Sequence, residues 1–160
     1  MRYSGLIKND ITAAPGLCVS FFTQGCPHHC PGCHNPDTWA FDKGKEFTNE
    51  VLKESIDALT AQNIHRDLCI MGGEPLCQEN AFLTCLIIQE VRKHVPGTKI
   101  YIWSGYTYEE LQQNTNPHIV DSLRQADVLI DGPYIEAERD ITLPLRGSRN
   151  QRVIDLSEKI

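Results

Sequence analysis

Three cysteines lie close together in one short stretch, residues 25–35, which reads GCPHHCPGCHN. Cys26, Cys30 and Cys33 form a C-x-x-x-C-x-x-C array within eight residues, so their thiolates can close around one metal site. A cubane [4Fe–4S] cluster normally takes four cysteine ligands. Three ligands leave one iron with an open position, where a substrate can coordinate. The array therefore calls for a fold that holds this loop beside a substrate site.

The same spacing is also compatible with zinc. A Cys3His site would take its fourth ligand from His28, His29 or His34. Zinc knuckles usually form small autonomous modules, whereas this loop follows a strand of a larger domain. The context favours an iron–sulfur cluster, and a zinc-binding interaction module without catalysis stays as the alternative.

The composition is that of a globular protein that forms one domain, residues 1–160. Hydrophobic residues make up 41% and charged residues 22% of the chain, and the net charge of −6 argues against broad nucleic-acid binding. No apolar run reaches the ~18 residues of a membrane span. The first ten residues lack the apolar core of a signal peptide. We therefore expect a cytoplasmic protein without a membrane partner, whose cysteines are kept reduced.

The four cysteines outside the array are dispersed along the chain. The chain has seven cysteines in all, and an odd number of cysteines argues against a framework of disulfides. Cys18 and Cys69 lie in apolar strand-like runs and Cys85 in a helix-like one, so we expect buried, unreactive thiols. Cys77 follows a glycine-rich turn, and the sequence assigns it no role.

Apolar runs and helical patterns alternate along the chain. The predicted strands are residues 3–11, 17–22, 67–71, 99–103, 127–130 and 152–156. A helix of about four turns begins after Thr48, and another covers residues 79–94. Thr107 with Glu110 predicts a capping box, and the pair at 116–117, Asn-Pro, starts a further helix. These βαβ units predict an α/β fold: an open, partial (β/α) barrel with a mostly parallel sheet, shorter than a full TIM barrel.

Polar residues follow several of the predicted strands. Gly72, Gly73 and Glu74 end the strand at 67–71, where two glycines let the backbone approach a ligand and a carboxylate can hold a cationic amine. Ser104 and Asp131 follow two further strands. Because ligands gather at the carboxyl ends of parallel strands, we expect all of these residues to face one opening.

The cysteine array and the glycine-rich turn together resemble the radical S-adenosylmethionine (SAM) superfamily. Within it, the chain is most similar to the glycyl-radical-enzyme activases, and among these to the group that activates anaerobic (class III) ribonucleoside-triphosphate reductase. The segments that carry the closer resemblance are 25–26, 33–35, 38–39, 103–106, 131–132 and 146–152. Together they extend the resemblance over nearly the whole chain.

The resemblance implies a complete reaction. Cys26, Cys30 and Cys33 would hold a [4Fe–4S] cluster whose free iron chelates the amino and carboxyl groups of SAM, and the turn at 72–74 would bind the amino group. An electron from a donor such as reduced flavodoxin would cleave SAM, and the resulting 5′-deoxyadenosyl radical would take hydrogen from a glycine of the reductase. The remaining residues that it places at the cofactors are Gly32, His34, Ser104 and Asp131.

Two of these positions depart from the usual family pattern. Many relatives have an aromatic residue before the third cysteine and a tyrosine after it, where this chain has Gly32 and His34. Both differences bear on how the adenine packs. Cluster ligation by the cysteines does not depend on them.

Other interpretations remain open at this point. The chain could activate another glycyl radical enzyme, such as pyruvate formate-lyase, or be a radical SAM enzyme acting on a small molecule. Arg146, Arg149 and Arg152 form a local basic patch on an acidic protein. The patch is either a solvated face or a contact for the reductase or the electron donor.

Overall fold

The computed structural model describes residues 1–158, so residues 159–160 of the predicted domain lie outside it. Within residues 1–158 the strands form one seven-stranded sheet in the order β3-β1-β2-β4-β5-β6-β7. The strands are β1 (Arg2–Asp10), β2 (Cys18–Thr23), β3 (Lys45–Glu46), β4 (Asp67–Gly72), β5 (Ile100–Trp103), β6 (Val128–Asp131) and β7 (Arg152–Asp155). The four central strands, β2, β4, β5 and β6, are parallel.

The helices confirm the predicted start signals. They are α1 (Asn49–Ala58), α2 (Ala81–His94), α3 (Tyr108–Gln112) and α4 (Pro117–Gln125). Thr48 caps α1, Thr107 and Glu110 form the predicted capping box of α3, and Asn116 caps α4. Helix α1 has ten residues, which is about three turns rather than the expected four. After the helix the chain turns through Gln62 and Asn63, both of which have positive φ.

The two faces of the sheet are covered differently. Val19 and Phe21 of β2 pack with the helices in the larger core, which also contains Leu59, Ile87 and Ile119. On the opposite face, Cys18, Cys69, Tyr101, Val128 and Ile130 form a smaller cluster with Ala13, Ala14 and Leu145 from connecting segments. Alternation of side chains along each strand produces this division. The helices thus leave one face of the sheet to loops.

The predicted α/β class and the mostly parallel centre of the sheet are confirmed, but the barrel description is not. In the described part of the chain, β3 and β7 lie at opposite edges of an open sheet and do not pair with each other. Strands β1 and β3 at one edge and β7 at the other run antiparallel to their neighbours. A βα barrel closes through parallel pairing, which these edge strands do not provide.

The cysteines outside the array lie in the core. Cys18 and Cys69 are fully buried, and Cys85 is 2% exposed, as expected. Cys77 is also buried, and its Sγ donates to the carbonyl of Glu74 at 3.3 Å. Burial raises the pKa of the Cys77 thiol to about 12, so this thiol is protonated and unreactive.

The helices of residues 1–158 include none that is both long and apolar enough to cross a membrane. The longest, α2, has 14 residues. A span of the bilayer core would take roughly 20.

Asp10 fixes the end of β1 against β2. Its carboxylate accepts hydrogen bonds from Ser20 Oγ at 2.7 Å and from the backbone and hydroxyl of Thr12 at 2.9 and 2.8 Å. Burial acts to raise the pKa of the Asp10 carboxyl. The hydrogen bonds from Ser20 and Thr12 outweigh burial, and the pKa lies below its ordinary value.

This arrangement predicts a pH-dependent contribution to stability. A lowered folded-state pKa stabilises the protein above the ordinary aspartate value of about 3.9, and the contribution disappears as the pH falls through the folded-state value. We expect Asp10→Asn to lower the free energy of unfolding by about 2 kcal/mol at neutral pH. In urea titrations the difference from wild type should shrink below about pH 4. A difference that is constant with pH would contradict this role of the Asp10 charge.

Candidate functional site

A cavity of about 210 Å³ lies beyond the carboxyl ends of the parallel strands. All three cysteines of the array line it, as do the glycine-rich turn and the residues that follow β5 and β6. The lining residues are Cys26, His28, Cys30, Cys33, Asn35, Thr38, Trp39, Met71, Gly72, Gly73, Glu74, Trp103, Ser104, Gly105, Ile130, Gly132, Tyr134 and Gln151. The structure therefore brings both predicted motifs to one opening.

The cysteine loop is held by the segment that follows it. Gly25 N donates to Thr38 O at 2.6 Å, and Cys26 N donates to Trp39 O at 3.1 Å. Within the loop, Cys33 N donates to Cys30 O at 3.1 Å. These bonds fix the backbone on both sides of the array, while the three thiols stay partly exposed to the cavity.

The three thiols do not already close on a single point. Among residues 1–158, no three His, Cys, Asp or Glu side chains are placed to hold one metal ion. Each histidine proposed as a zinc ligand also has another neighbour. His28 bonds to Glu74 at 2.7 Å, His29 stacks on Trp39 with ring centroids 4.6 Å apart, and His34 packs at 5.4 Å from Tyr134. Each of these three histidine rings therefore bonds to or packs against a residue outside the cysteine array.

Glu74 is 1% exposed, and its carboxylate accepts hydrogen bonds from every side. Leu76 N and Ser104 Oγ donate to Oε2 at 2.9 and 2.8 Å. Gly105 N and His28 Nε2 approach Oε1, each at 2.7 Å. Neighbouring Tyr106 has its pKa raised to about 12, first by burial and then by the negative charge of Glu74. The turn thus places a tightly bound carboxylate in the cavity wall.

The glycines of the turn permit direct contact with the cysteine loop. Glu74 N donates to Gly25 O at 2.8 Å, and Asn80 Nδ2 donates to the same carbonyl at 3.1 Å. A Cβ on Gly73 would collide with the Gly25 carbonyl and lie 2.9 Å from Thr38 O. Gly72 has a φ of +104°, which an L side chain rarely adopts. The glycine-rich turn and the cysteine loop are therefore joined backbone to backbone.

The remaining predicted residues are placed differently. Ser104 is buried, lines the cavity and bonds to Glu74. Asp131 is also buried, but it is not among the lining residues; its carboxylate accepts from Tyr108 N at 2.7 Å and from Arg152 Nε at 3.1 Å. The partners of Asp131 thus belong to the scaffold, and its contact with a cofactor stays a prediction.

Gly32 and His34 lie in the array without lining the cavity. Gly32 has a φ of +80°, and a Cβ there would collide with the carboxylate of Glu136. The carboxylate of Glu136 can move aside, so the positive φ is the physical reason for glycine at this position. The cofactor contact predicted for these two residues is not tested by the structure.

Two features of the lining residues were not predictable from the sequence. The sequence alone favours a solvated loop position for His28 over a role as a ligand, yet its side chain is only 18% exposed and bonds to Glu74. Trp39 has an indole N–H that is buried without a hydrogen-bond partner among the described residues. An unpaired buried donor is costly, and this one belongs to a residue that lines the cavity. No local pattern of the sequence signals either feature.

Comparisons with known proteins show the family to which the chain belongs. A family model described as a 4Fe-4S single cluster domain matches residues 13–154. Anaerobic ribonucleoside-triphosphate reductase-activating proteins of Salmonella typhimurium and Escherichia coli K12 are 36% and 34% identical over 154 residues, covering 96% of this chain and 97% of theirs. The protein of that name from Enterobacteria phage T4 is 33% identical over 153 residues, with 96% and 93% coverage.

The chain belongs to the family of anaerobic ribonucleoside-triphosphate reductase-activating proteins. The family resemblance inferred from the sequence is thereby confirmed. Membership in a 4Fe-4S domain family also decides against the zinc-binding module. The cavity of this activating-protein family member fits such a group, because three partly exposed thiols line it together. Burial raises the pKa of the Cys26 thiol, so forming the thiolate costs free energy. Binding to a metal would offset the cost of forming this thiolate.

The backbone contact between the two motifs predicts a sharp effect of a small substitution. Gly73→Ala should destabilise the protein by about 3 kcal/mol, because the added methyl meets backbone atoms of the cysteine loop that cannot move independently. Gly97→Ala is the matched control, since a Cβ at Gly97 has nothing within 4 Å. Thermal melting of both variants is the measurement. Equal melting temperatures would show that the backbone contact between the glycine-rich turn and the cysteine loop is not rigid.

Proposed function

We propose that this protein is a radical SAM activase that generates a glycyl radical on anaerobic ribonucleoside-triphosphate reductase. The observation that carries the proposal is the shared cavity: the three thiols of the array and the carboxylate of Glu74 line it together. The names of relatives with about the same length support the choice of reductase over pyruvate formate-lyase as the target.

The residues of the cavity divide the work. Cys26, Cys30 and Cys33 would hold a [4Fe–4S] cluster and leave one iron for SAM. Such a cluster, when bound and reduced, supplies the electron that cleaves the sulfonium of SAM into methionine and the radical that takes a hydrogen from glycine. Glu74 is the natural partner for the ammonium group of SAM, because it is the sole carboxylate among the described lining residues. The backbone at Gly72 and Gly73 lets the ligand approach closely.

The open sheet suits a protein substrate. Met71, Trp103 and Ile130 line the cavity from the face of the sheet that the helices leave uncovered. A glycine-bearing loop of the reductase would approach the cavity from that face, without a helix to displace. A low-potential one-electron donor, such as reduced flavodoxin, would supply the electron.

The basic patch is smaller than the sequence indicates. Arg152 bonds to Asp131 and to Glu109, which neutralises its charge. Arg146 donates to the carbonyls of Pro144 and Gln151, and Arg149 is exposed. Arg146 and Arg149 are the residues of the patch that we propose as contacts for the reductase or the donor.

Anaerobic reconstitution tests the whole proposal. The protein loaded with iron and sulfide should show broad visible absorption, and EPR of the reduced cluster should change when SAM is added. Mixing with the reductase, SAM and a reductant should produce the doublet of a glycyl radical. A cluster spectrum that SAM does not alter would contradict SAM binding at an open iron, and a signal with pyruvate formate-lyase alone would redirect the target.

The ligand assignment predicts a clear division among the thiols. Cys26→Ala, Cys30→Ala and Cys33→Ala should each abolish cluster-dependent cleavage of SAM, measured as 5′-deoxyadenosine formed. Cys85→Ala is the control: it removes a buried thiol of α2, so it should lower stability by about 1 kcal/mol while iron content stays normal. Loss of iron from Cys85→Ala would contradict the assignment.

A further inference from the structure

His28 is part of the cysteine loop, and its side chain packs against the residues that follow β5. Its Nε2 lies 2.7 Å from Glu74 Oε1, and its ring meets Tyr106 edge-on with centroids 4.5 Å apart. Gly105 makes room for the ring, because a Cβ there would lie 2.5 Å from His28 Cδ2. A carboxylate only accepts hydrogen bonds, so the imidazole is the donor in this contact.

This contact completes the hydrogen bonding of Glu74. A carboxylate has about four acceptor positions. Among the described residues, four donors fill them: Leu76 N, Ser104 Oγ, Gly105 N and His28 Nε2. A ligand's ammonium group therefore finds no vacant acceptor position on Glu74.

The four donors differ in how easily they can leave. Two are backbone amides, and Ser104 is 5% exposed in the core. The side chain of His28 is 18% exposed and lies on the cysteine loop. His28 is also the sole basic side chain among the described residues that line the cavity. It is the donor that an incoming cation would displace.

Resting on the proposed function, we infer that His28 holds the Glu74 carboxylate in place of the ammonium group of SAM and leaves it when SAM binds. His28 is then a positioning residue that couples ligand binding to the cysteine loop. Because it lies between Cys26 and Cys30, its release changes the constraint on the segment that carries two cluster ligands. SAM has to break the hydrogen bond between His28 and Glu74 before its ammonium group can bond to Glu74.

Binding of SAM to the cluster-loaded protein in its oxidised state measures this competition without turnover. His28→Phe keeps a ring against Gly105 and Tyr106 but has no donor, so we expect it to bind SAM about tenfold more tightly than wild type. His28→Gln restores a donor and should bind as wild type does. The gain should vanish for a SAM analogue that lacks the α-amino group, because such a ligand does not compete for Glu74.

His29→Asn is the matched control, since His29 stacks on Trp39 and asparagine tolerates its positive φ of 49°. It should leave the affinity for SAM unchanged. His28→Ala provides a second donor-free variant if His28→Phe does not fold. Wild-type binding of SAM combined with equal or weaker binding by the folded donor-free variant would overturn the inference. Absence of cluster-dependent SAM binding in the wild type would instead overturn the proposed function itself.

Discussion

The carbonyl of Gly25 accepts two hydrogen bonds that unite the cavity, one from Glu74 N and one from the Asn80 side chain. Through it, the cysteine loop after β2 meets the turn after β4. Parallel pairing of β2 with β4 brings the two strand ends side by side, from Cys18 opposite Asp67 to Thr23 opposite Gly72. Register in the sheet is set by its buried face, so the core ultimately positions the cysteines.

The contact between the turn and the cysteine loop fixes the identity of Gly73 and the orientation of Glu74. Gly73 has no side chain because the loop backbone fills that space, and the Glu74 carboxylate is oriented by groups from three parts of the chain. A carboxylate held from several sides keeps a fixed direction, as the proposed contact with a single ammonium group would require. The burial of Glu74 keeps water away from its hydrogen bonds and strengthens them.

Much of the fold followed from local patterns. The parallel strands were visible as short apolar runs, and the helices that begin at Asn49, Tyr108 and Pro117 were visible through their caps. The pairing of β3 with β1 was not predictable, because two residues carry no periodicity. The antiparallel pairing of β7 with β6 was not predictable either, because the pattern of a single strand does not encode the direction of its partner.

The candidate site followed from its motifs only in part. The cysteine array and the turn were found because each is contiguous in the sequence. The contact between His28 and Glu74 spans 46 positions, and the pairing of Asp131 with Arg152 spans 21, so neither has a local signature. The unpaired indole of Trp39 is a property of three-dimensional packing alone.

The positions of the seven thiols determine which of them can be oxidised in air. Three cysteines are accessible, whereas Cys18, Cys69, Cys77 and Cys85 are shielded by the core. Oxidants attack thiolates that solvent reaches, so the sulfurs of one loop take the damage and the scaffold is spared. If the array holds the proposed cluster, oxidation of these thiols that stops at sulfenic acid or a disulfide would be reversed by reduction of that loop, followed by a fresh supply of iron and sulfide.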